Sequence, residues 1–131
     1  MANMRVLLVD DEQDFLTLMS RRIESWGYDV VPVSGGREAL EAIKSGKADI
    51  VILDYMMPDM DGIKTLKGIR KIKDKMPVIM FTAHLEEKAM KGTENMQVSA
   101  YIPKLSVYSD SQSALKTTLD IHNKLLEKMD G

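Results

Sequence analysis

The chain has 131 residues, with 18 Lys or Arg against 20 Asp or Glu, so its formal net charge is −2. This slightly acidic balance gives no bulk electrostatic reason to bind nucleic acid or an anionic membrane. The absence of cysteine excludes a disulfide scaffold, a thiolate zinc site and a cysteine nucleophile. No apolar run approaches the roughly 20 residues that span a bilayer. We therefore predict one domain, residues 1–131, located in the reducing cytoplasm.

Short apolar segments alternate along the chain with segments of helical periodicity, which predicts five strands and five helices. Strands that are apolar throughout indicate a parallel sheet covered on both faces. Ser34 and Asp61 are predicted to cap the second and third helices. The fourth helix, between Leu85 and Asn95, is the weakest, because it has few apolar residues and contains Gly92. The predicted strands lie at 6–9, 30–33, 50–53, 78–81 and 100–102.

Two prolines indicate the order of the strands. Pro32 lies within the second strand and Pro103 at the end of the fifth, and proline is largely confined to edge strands because it cannot donate to the ladder. The flavodoxin-like, doubly wound order 2-1-3-4-5 places both strands at the edges. Right-handed crossovers then put the first and fifth helices on one face of the sheet, and the other three on the opposite face.

Chemically active residues follow four of the predicted strands. Asp10 and Asp11 end the first strand, Asp54 ends the third, Thr82 the fourth, and Lys104 lies near the end of the fifth. Because the carboxyl ends of parallel strands meet at one edge, three carboxylates, a hydroxyl and an ammonium are predicted to converge. The acids fall where the strand order reverses, which is where such sheets bind ligands.

Three clustered carboxylates repel one another, by roughly 4 kcal/mol for a pair about 4 Å apart at an effective dielectric near 20. A divalent cation and Lys104 would offset this repulsion, and an all-oxygen site selects Mg²⁺ or Mn²⁺. A carboxylate beside Mg²⁺ and lysine can attack phosphorus and form an aspartyl phosphate. Taken singly, a strand-end Asp is usually a helix cap, Thr82 an ordinary strand residue, and Lys104 a solvated charge. His84 and His122 have no cluster around them and are predicted to be neither ligands nor bases.

Four segments in this order and spacing resemble a bacterial response-regulator receiver domain, and the resemblance covers essentially the whole chain. It implies a signalling switch of a two-component or phosphorelay system, which catalyses only its own phosphorylation and dephosphorylation. The fold that it implies is the flavodoxin-like sheet predicted above. The matching segments are residues 6–12 (VLLVDDE), 49–62 (DIVILDYMMPDMDG), 77–83 (PVIMFTA) and 100–104 (AYIPK).

The resemblance assigns roles to the acidic residues. Asp54 would accept a phosphoryl group from a histidine kinase or a phosphotransfer protein. Asp11 and Asp54 would bind Mg²⁺ directly, together with the backbone carbonyl of Met56. Asp10 would act on the metal mostly through water. Asp59 and Asp61 are interpreted as loop and cap residues, with Gly62 shaping the turn.

The resemblance also implies a mechanism of switching. Thr82 would hydrogen-bond the phosphoryl group, Lys104 would pair with its oxygens, and Tyr101 would change rotamer; by itself Tyr101 is equally well explained as strand packing. The face made by the fourth helix, the fifth strand and the fifth helix would then pass the signal to a downstream protein or a fused output domain. In the family a proline usually follows the lysine, whereas Leu105 follows Lys104 here.

Three other functions are weighed against this one. The departure at Leu105 leaves a degenerate receiver, acting as a phosphorylation-independent interaction module, as an alternative. A Mg²⁺-dependent phosphohydrolase with Asp54 as nucleophile is disfavoured by the lack of a cap domain. A flavodoxin-like electron carrier is disfavoured because acids stand where a phosphate cradle would follow the first strand. The last helix is predicted to dock onto the sheet, with a dimer seam or the start of a linker as the alternative, and a homodimer formed on activation is left open. The apolar repeat of this helix is Leu115, Leu119, His122, Leu126 and Met129.

Overall fold

The computed structural model describes residues 3–55, 57, 61–82, 96–103 and 110–130. The predicted fourth helix, His84, Met56 and Lys104 lie outside the described residues. Within them, every strand pairs with its neighbours in parallel, and the sheet has the predicted order β2-β1-β3-β4-β5. The strands are β1 (Arg5–Val9), β2 (Asp29–Val33), β3 (Ile50–Leu53), β4 (Val78–Thr82) and β5 (Ala100–Pro103).

Pro32 and Pro103 lie in β2 and β5, which are the two edge strands, so the inference from proline is confirmed. Four helices belong to the described part of the chain, and the last of them corresponds to the predicted fifth helix. None of these four combines the length and the apolar character that crossing a bilayer requires. The helices are α1 (Gln13–Ser25), α2 (Gly36–Lys44), α3 (Gly62–Ile72) and α4 (Asp110–Asp130).

The helix ends follow the expected chemistry in most places. Gly27, two residues after α1, has φ +98°, a conformation that a side chain would disfavour. Asp61 caps α3 as predicted, because its Oδ1 accepts the backbone N–H of Lys64 at 2.9 Å. The prediction that Ser34 caps α2 is wrong. Gly35 is the N-cap and makes no side-chain hydrogen bond; glycine is acceptable there, so α2 begins at Gly36.

The sheet separates two hydrophobic clusters. Along β1, Val6 and Leu8 face the first cluster, which contains the buried residues of α1 and α4. Leu7 and Val9 face the second cluster, which contains those of α2 and α3. This arrangement matches the predicted distribution of the described helices. Because apolar helices cover both faces, the four residues of β3 are all buried, which explains the uninterrupted apolar pattern of Ile50–Leu53.

Helix α4 docks onto the first cluster over only part of its length. Leu115 and Leu119 are fully buried and Leu126 packs against the cluster, but Met129 is 82% exposed. The docking prediction therefore holds for most of the repeat and is wrong for Met129, because the end of the helix extends past the cluster. The hydroxyl of Tyr28, next to β2, donates to the Asp120 carboxylate of α4, whose other oxygen pairs with Lys116 at 2.8 Å.

An ion pair joins the start of β1 to the residue before β3. The Arg5 guanidinium donates to both carboxylate oxygens of Asp49, at 3.0 and 3.1 Å, and the Arg5 backbone N–H donates to the same carboxylate at 2.8 Å. Burial raises the pKa of the Asp49 carboxyl, but the hydrogen bonds and charge of Arg5 outweigh this effect and hold the pKa below its usual value. The carboxylate form of Asp49 therefore stabilises the folded state.

An Asp49→Asn variant is expected to lose about 1 kcal/mol of unfolding free energy at neutral pH, because Arg5 keeps a hydrogen-bond partner but loses the opposite charge. Because the pKa of Asp49 is lower in the folded state, its carboxylate stabilises the fold at pH values above the unfolded pKa of about 3.9. This stabilisation is lost in acid, as the pH falls through the folded pKa. Urea unfolding should therefore show the difference at neutral pH and little of it near pH 3. Glu24→Gln, at an exposed position on α1, is the control; an equal loss in both variants, or an undiminished loss in acid, would contradict the assignment.

Candidate functional site

Three carboxylates meet at the edge of the sheet where the parallel strands end. Asp10 and Asp11 follow β1, and Asp54 follows β3. The two strands are hydrogen-bonded in parallel with Val9 opposite Leu53, so the residues after them leave the sheet side by side. One oxygen from each carboxylate lies within 4.8 Å of the others. The structure thus brings together three of the predicted site residues, at the point where the strand order reverses.

Backbone hydrogen bonds fix this cluster to the sheet. The N–H of Asp54 donates to the Val9 carbonyl at 3.1 Å, and the N–H of Asp10 donates to the Val33 carbonyl at 3.2 Å. One carboxylate oxygen of Asp10 also accepts the backbone N–H of Glu12 at 2.9 Å. Asp10 and Asp54 are only 1% and 5% exposed, whereas Asp11 is exposed. Two carboxylates are therefore buried below a third that faces solvent.

The cluster has the chemistry of a site for a hard divalent cation. Negative charges at this separation repel one another, and burial of Asp10 and Asp54 removes much of the water that would screen them. Carboxylate oxygens are the only ligand atoms in the group, which fits Mg²⁺ rather than zinc or copper. The residues present therefore fit the magnesium ion that the sequence predicts.

The structure describes the other predicted site residues only in part. Thr82 is the last residue of β4, which pairs with β3, so its backbone reaches the same edge of the sheet as Asp54. Lys104 follows β5 directly in the sequence, but like Met56 it lies outside the described residues. Tyr101 is half-buried in β5 and packs against the second cluster. Met57 is buried in that cluster, which places it in the core.

Gly62 contributes to the site in a way that the sequence does not indicate. It is the first residue of α3, and its N–H donates to the Tyr55 carbonyl at 2.9 Å. A Cβ atom at this position would lie 2.7 Å from the Tyr55 Cα and 2.9 Å from the Asp54 carbonyl oxygen. The start of α3 therefore packs directly on the backbone that carries Asp54. The Asp61-Gly62 pair signals a cap and a turn, but not this close approach.

Comparison with known proteins agrees with this geometry. The family model of the response regulator receiver domain matches residues 6–116. The alkaline phosphatase synthesis transcriptional regulatory protein PhoP of Bacillus subtilis is 42% identical over 85 residues, which cover 65% of this chain and 35% of that protein. The chain thus spans about a third of the length of this curated relative.

Two solved structures share the fold over most of the chain. A CheY-like receiver domain protein from Methanospirillum hungatei has a TM-score of 0.82 and 28% identity, covering 94% of this chain and 98% of that one. The response regulator TrrA from Thermotoga maritima, solved in complex with Mg²⁺ and BeF, has a TM-score of 0.76 and 29% identity, covering 88% and 98%. The chain therefore belongs to the response regulator receiver domains, the phospho-accepting switches of two-component signalling.

Proposed function

We propose that Asp54 is the phosphoryl acceptor of this receiver domain and that residues 1–131 form one such domain. The observation that carries the proposal is the convergence of the Asp10, Asp11 and Asp54 carboxylates within 4.8 Å at one edge of the sheet. Asp54 is the best placed of the three, because β3 lies between β1 and β4. It therefore has the other two acids on one side and the end of the strand that carries Thr82 on the other.

In the proposed reaction a carboxylate oxygen of Asp54 attacks the phosphorus of a phosphohistidine on a histidine kinase or phosphotransfer protein. A P–O bond forms, the P–N bond breaks, and the imidazole leaves with the bonding electron pair and takes up a proton. Asp11, Asp54 and the backbone carbonyl of Met56 would hold Mg²⁺ directly, and Asp10 would act on it mostly through water. When bound, the ion would supply positive charge that offsets the negative charge of the carboxylates and the phosphoryl oxygens. The domain changes only its own phosphorylation state and is not an enzyme acting on a separate substrate.

The proposed signal depends on residues at the ends of β4 and β5. Thr82 and Lys104 would bind the phosphoryl oxygens and so favour the arrangement in which both reach Asp54. Tyr101, on β5, would change its packing with them. The face formed by the predicted fourth helix, β5 and α4 would then bind a downstream protein or a fused output domain, in the cytoplasm. PhoP, the relative that is 42% identical, is named as a transcriptional regulator, which supports an output domain of this kind.

Phosphoryl uptake tests the proposal directly. Incubation with Mg²⁺ and a small acyl phosphate should add one phosphoryl mass to the intact protein, and removal of Mg²⁺ with a chelator should prevent the addition. Borohydride reduces the acyl phosphate to an alcohol and releases the phosphate, which converts the modified aspartate to homoserine; peptide mapping should find this change at residue 54. Modification of another residue would refute the assignment of Asp54. The absence of any adduct under conditions that preserve acyl phosphates would also refute it and would favour the phosphorylation-independent interaction module. Rapid multiple turnover of a phosphomonoester would instead favour a phosphohydrolase.

A further inference from the structure

A basic cavity lies at the other end of α3 from the acidic cluster. Helix α3 begins at Gly62, against the backbone of Asp54, and its 11 residues extend about 16 Å away from it. The cavity has a volume of about 440 Å³. It therefore belongs to a different part of the molecule from the phosphorylation site. The described residues that line it are Lys67, Arg70, Lys71, Asp74, Lys75, Met96 and Gln97.

Hydrogen bonds hold the Arg70 side chain in a fixed position at the cavity. Its guanidinium donates three hydrogen bonds to backbone carbonyls, to Met96 at 2.7 Å, to Met76 at 2.7 Å and to Gln97 at 3.1 Å. These carbonyls belong to the segments that lead into β4 and β5, so Arg70 ties α3 to both. The guanidinium is half-buried, and burial lowers the pKa of this group from its usual high value. The charge of Arg70 is thus held in place by hydrogen bonds from three of its five N–H donors.

The three lysines of the cavity carry charge that the described part of the chain does not neutralise. Lys67 and Lys71 are four residues apart on α3 and so lie on the same side of the helix, and Lys75 follows the helix end. None of the three takes part in an ion pair among the described residues. Asp74 interacts electrostatically with Arg70. Among the lining residues that the structure describes, four cations and one carboxylate give a net charge of +3, in a chain whose net charge is −2.

We propose that this cavity binds a small molecule that carries two or more phosphate groups and an apolar group, as a nucleoside diphosphate does. Lysine ammonium groups bind phosphate as point charges, and three of them together exceed what a single phosphate group balances. The volume lies in the range of small-molecule sites, about 300–1,000 Å³. The half-buried side chain of Met96 supplies an adaptable apolar surface for the rest of the ligand. A nucleoside diphosphate thus matches the charge, the size and the mixed lining of the cavity.

Titration calorimetry with adenosine diphosphate tests this inference. A chelator should be present, because Mg²⁺ would neutralise the nucleotide and could carry it to the acidic cluster. Saturable binding is expected, weaker for pyrophosphate and undetectable for adenosine. The double variant Lys67→Gln, Lys71→Gln should bind about tenfold more weakly, and added salt should weaken binding to the wild type. Nuclear magnetic resonance shifts should be largest for the amides of Met96, Gln97 and the end of α3.

A matched double variant removes the same charge elsewhere. Lys44→Gln, Lys124→Gln lies on α2 and α4, and should bind adenosine diphosphate as the wild type does. All four lysines are exposed, so both variants should fold, which circular dichroism verifies. Absence of saturable binding, or equal weakening in the two double variants, would overturn the proposal. Binding of an acidic peptide that depends on Lys67 and Lys71, without binding of the nucleotide, would also overturn it and assign the cavity to a protein partner.

Discussion

An Asp54→Asn variant is expected to take up no phosphoryl group and, without Mg²⁺, to be more stable than the wild type by about 2 kcal/mol. The amide cannot attack phosphorus to form an acyl phosphate. It also removes one of three negative charges that lie within 4.8 Å of one another, two of them buried. Intact mass after incubation with an acyl phosphate measures the first effect, and urea unfolding in a chelator measures the second.

Magnesium should narrow this difference in stability. The ion binds the folded wild type and raises its free energy of unfolding with the logarithm of the Mg²⁺ concentration. The variant has lost one ligand, so it binds the ion more weakly and is stabilised less. The unfolding midpoint of the wild type should therefore rise with Mg²⁺ more than that of Asp54→Asn. Glu24→Gln, at an exposed position near the end of α1, removes a charge outside the cluster and should change neither phosphoryl uptake nor the rise of the midpoint with Mg²⁺. A destabilised Asp54→Asn variant in the chelator would contradict charge repulsion within the cluster.

A Gly62→Ala variant is expected to be less stable than the wild type by about 1–3 kcal/mol and to take up phosphoryl groups more slowly. The added methyl group would lie 2.7 Å from the Tyr55 Cα and 2.9 Å from the Asp54 carbonyl oxygen, and neither backbone atom can move without shifting Asp54. Urea unfolding measures the stability. The rate of phosphoryl uptake at saturating Mg²⁺ measures the displacement of the acceptor.

The same helix offers the matched control. In Gly68→Ala the new methyl group would meet the end of the flexible Leu40 side chain at 2.9 Å, which can rotate away, and alanine is favoured over glycine inside a helix. This variant should keep both the stability and the uptake rate of the wild type. If Gly62→Ala behaved like Gly68→Ala, the close packing of α3 on the acceptor strand would not matter for the site.

The sequence predicts the fold well because the strong signals agree. Continuous apolar runs indicate buried parallel strands, and Pro32 and Pro103 exclude central positions for two of them, which leaves few orders for the sheet. That order alone brings Asp10 and Asp11 beside Asp54. The family resemblance, confirmed by the match over residues 6–116, adds the chemical roles of these residues. Those roles remain predictions that phosphoryl uptake will test.

Other features depend on distances that a sequence does not contain. The contact between Gly62 and Tyr55 arises from the angle at which α3 meets the sheet, and a glycine beside a capping Asp61 gives no sign of it. The hydrogen bonds of Arg70 link residues up to 27 apart and use carbonyl groups, which every residue has. The predicted apolar repeat of the last helix extends to the exposed Met129, because periodicity does not show where the hydrophobic cluster beneath the helix ends. Likewise, serine and glycine are both acceptable N-caps, so residue type alone does not distinguish Ser34 from Gly35.

The sheet places residues that are adjacent in the sequence in different hydrophobic clusters. Leu7 and Leu8 are adjacent in sequence, yet one packs with α2 and α3 and the other with α1 and α4. Their packing partners do not overlap, so a substitution at one leaves the side-chain contacts of the other in place. One layer of helices can accordingly diverge without forcing compensation in the other. A common acidic centre could in this way be retained while the exterior on either side is remodelled for new associations.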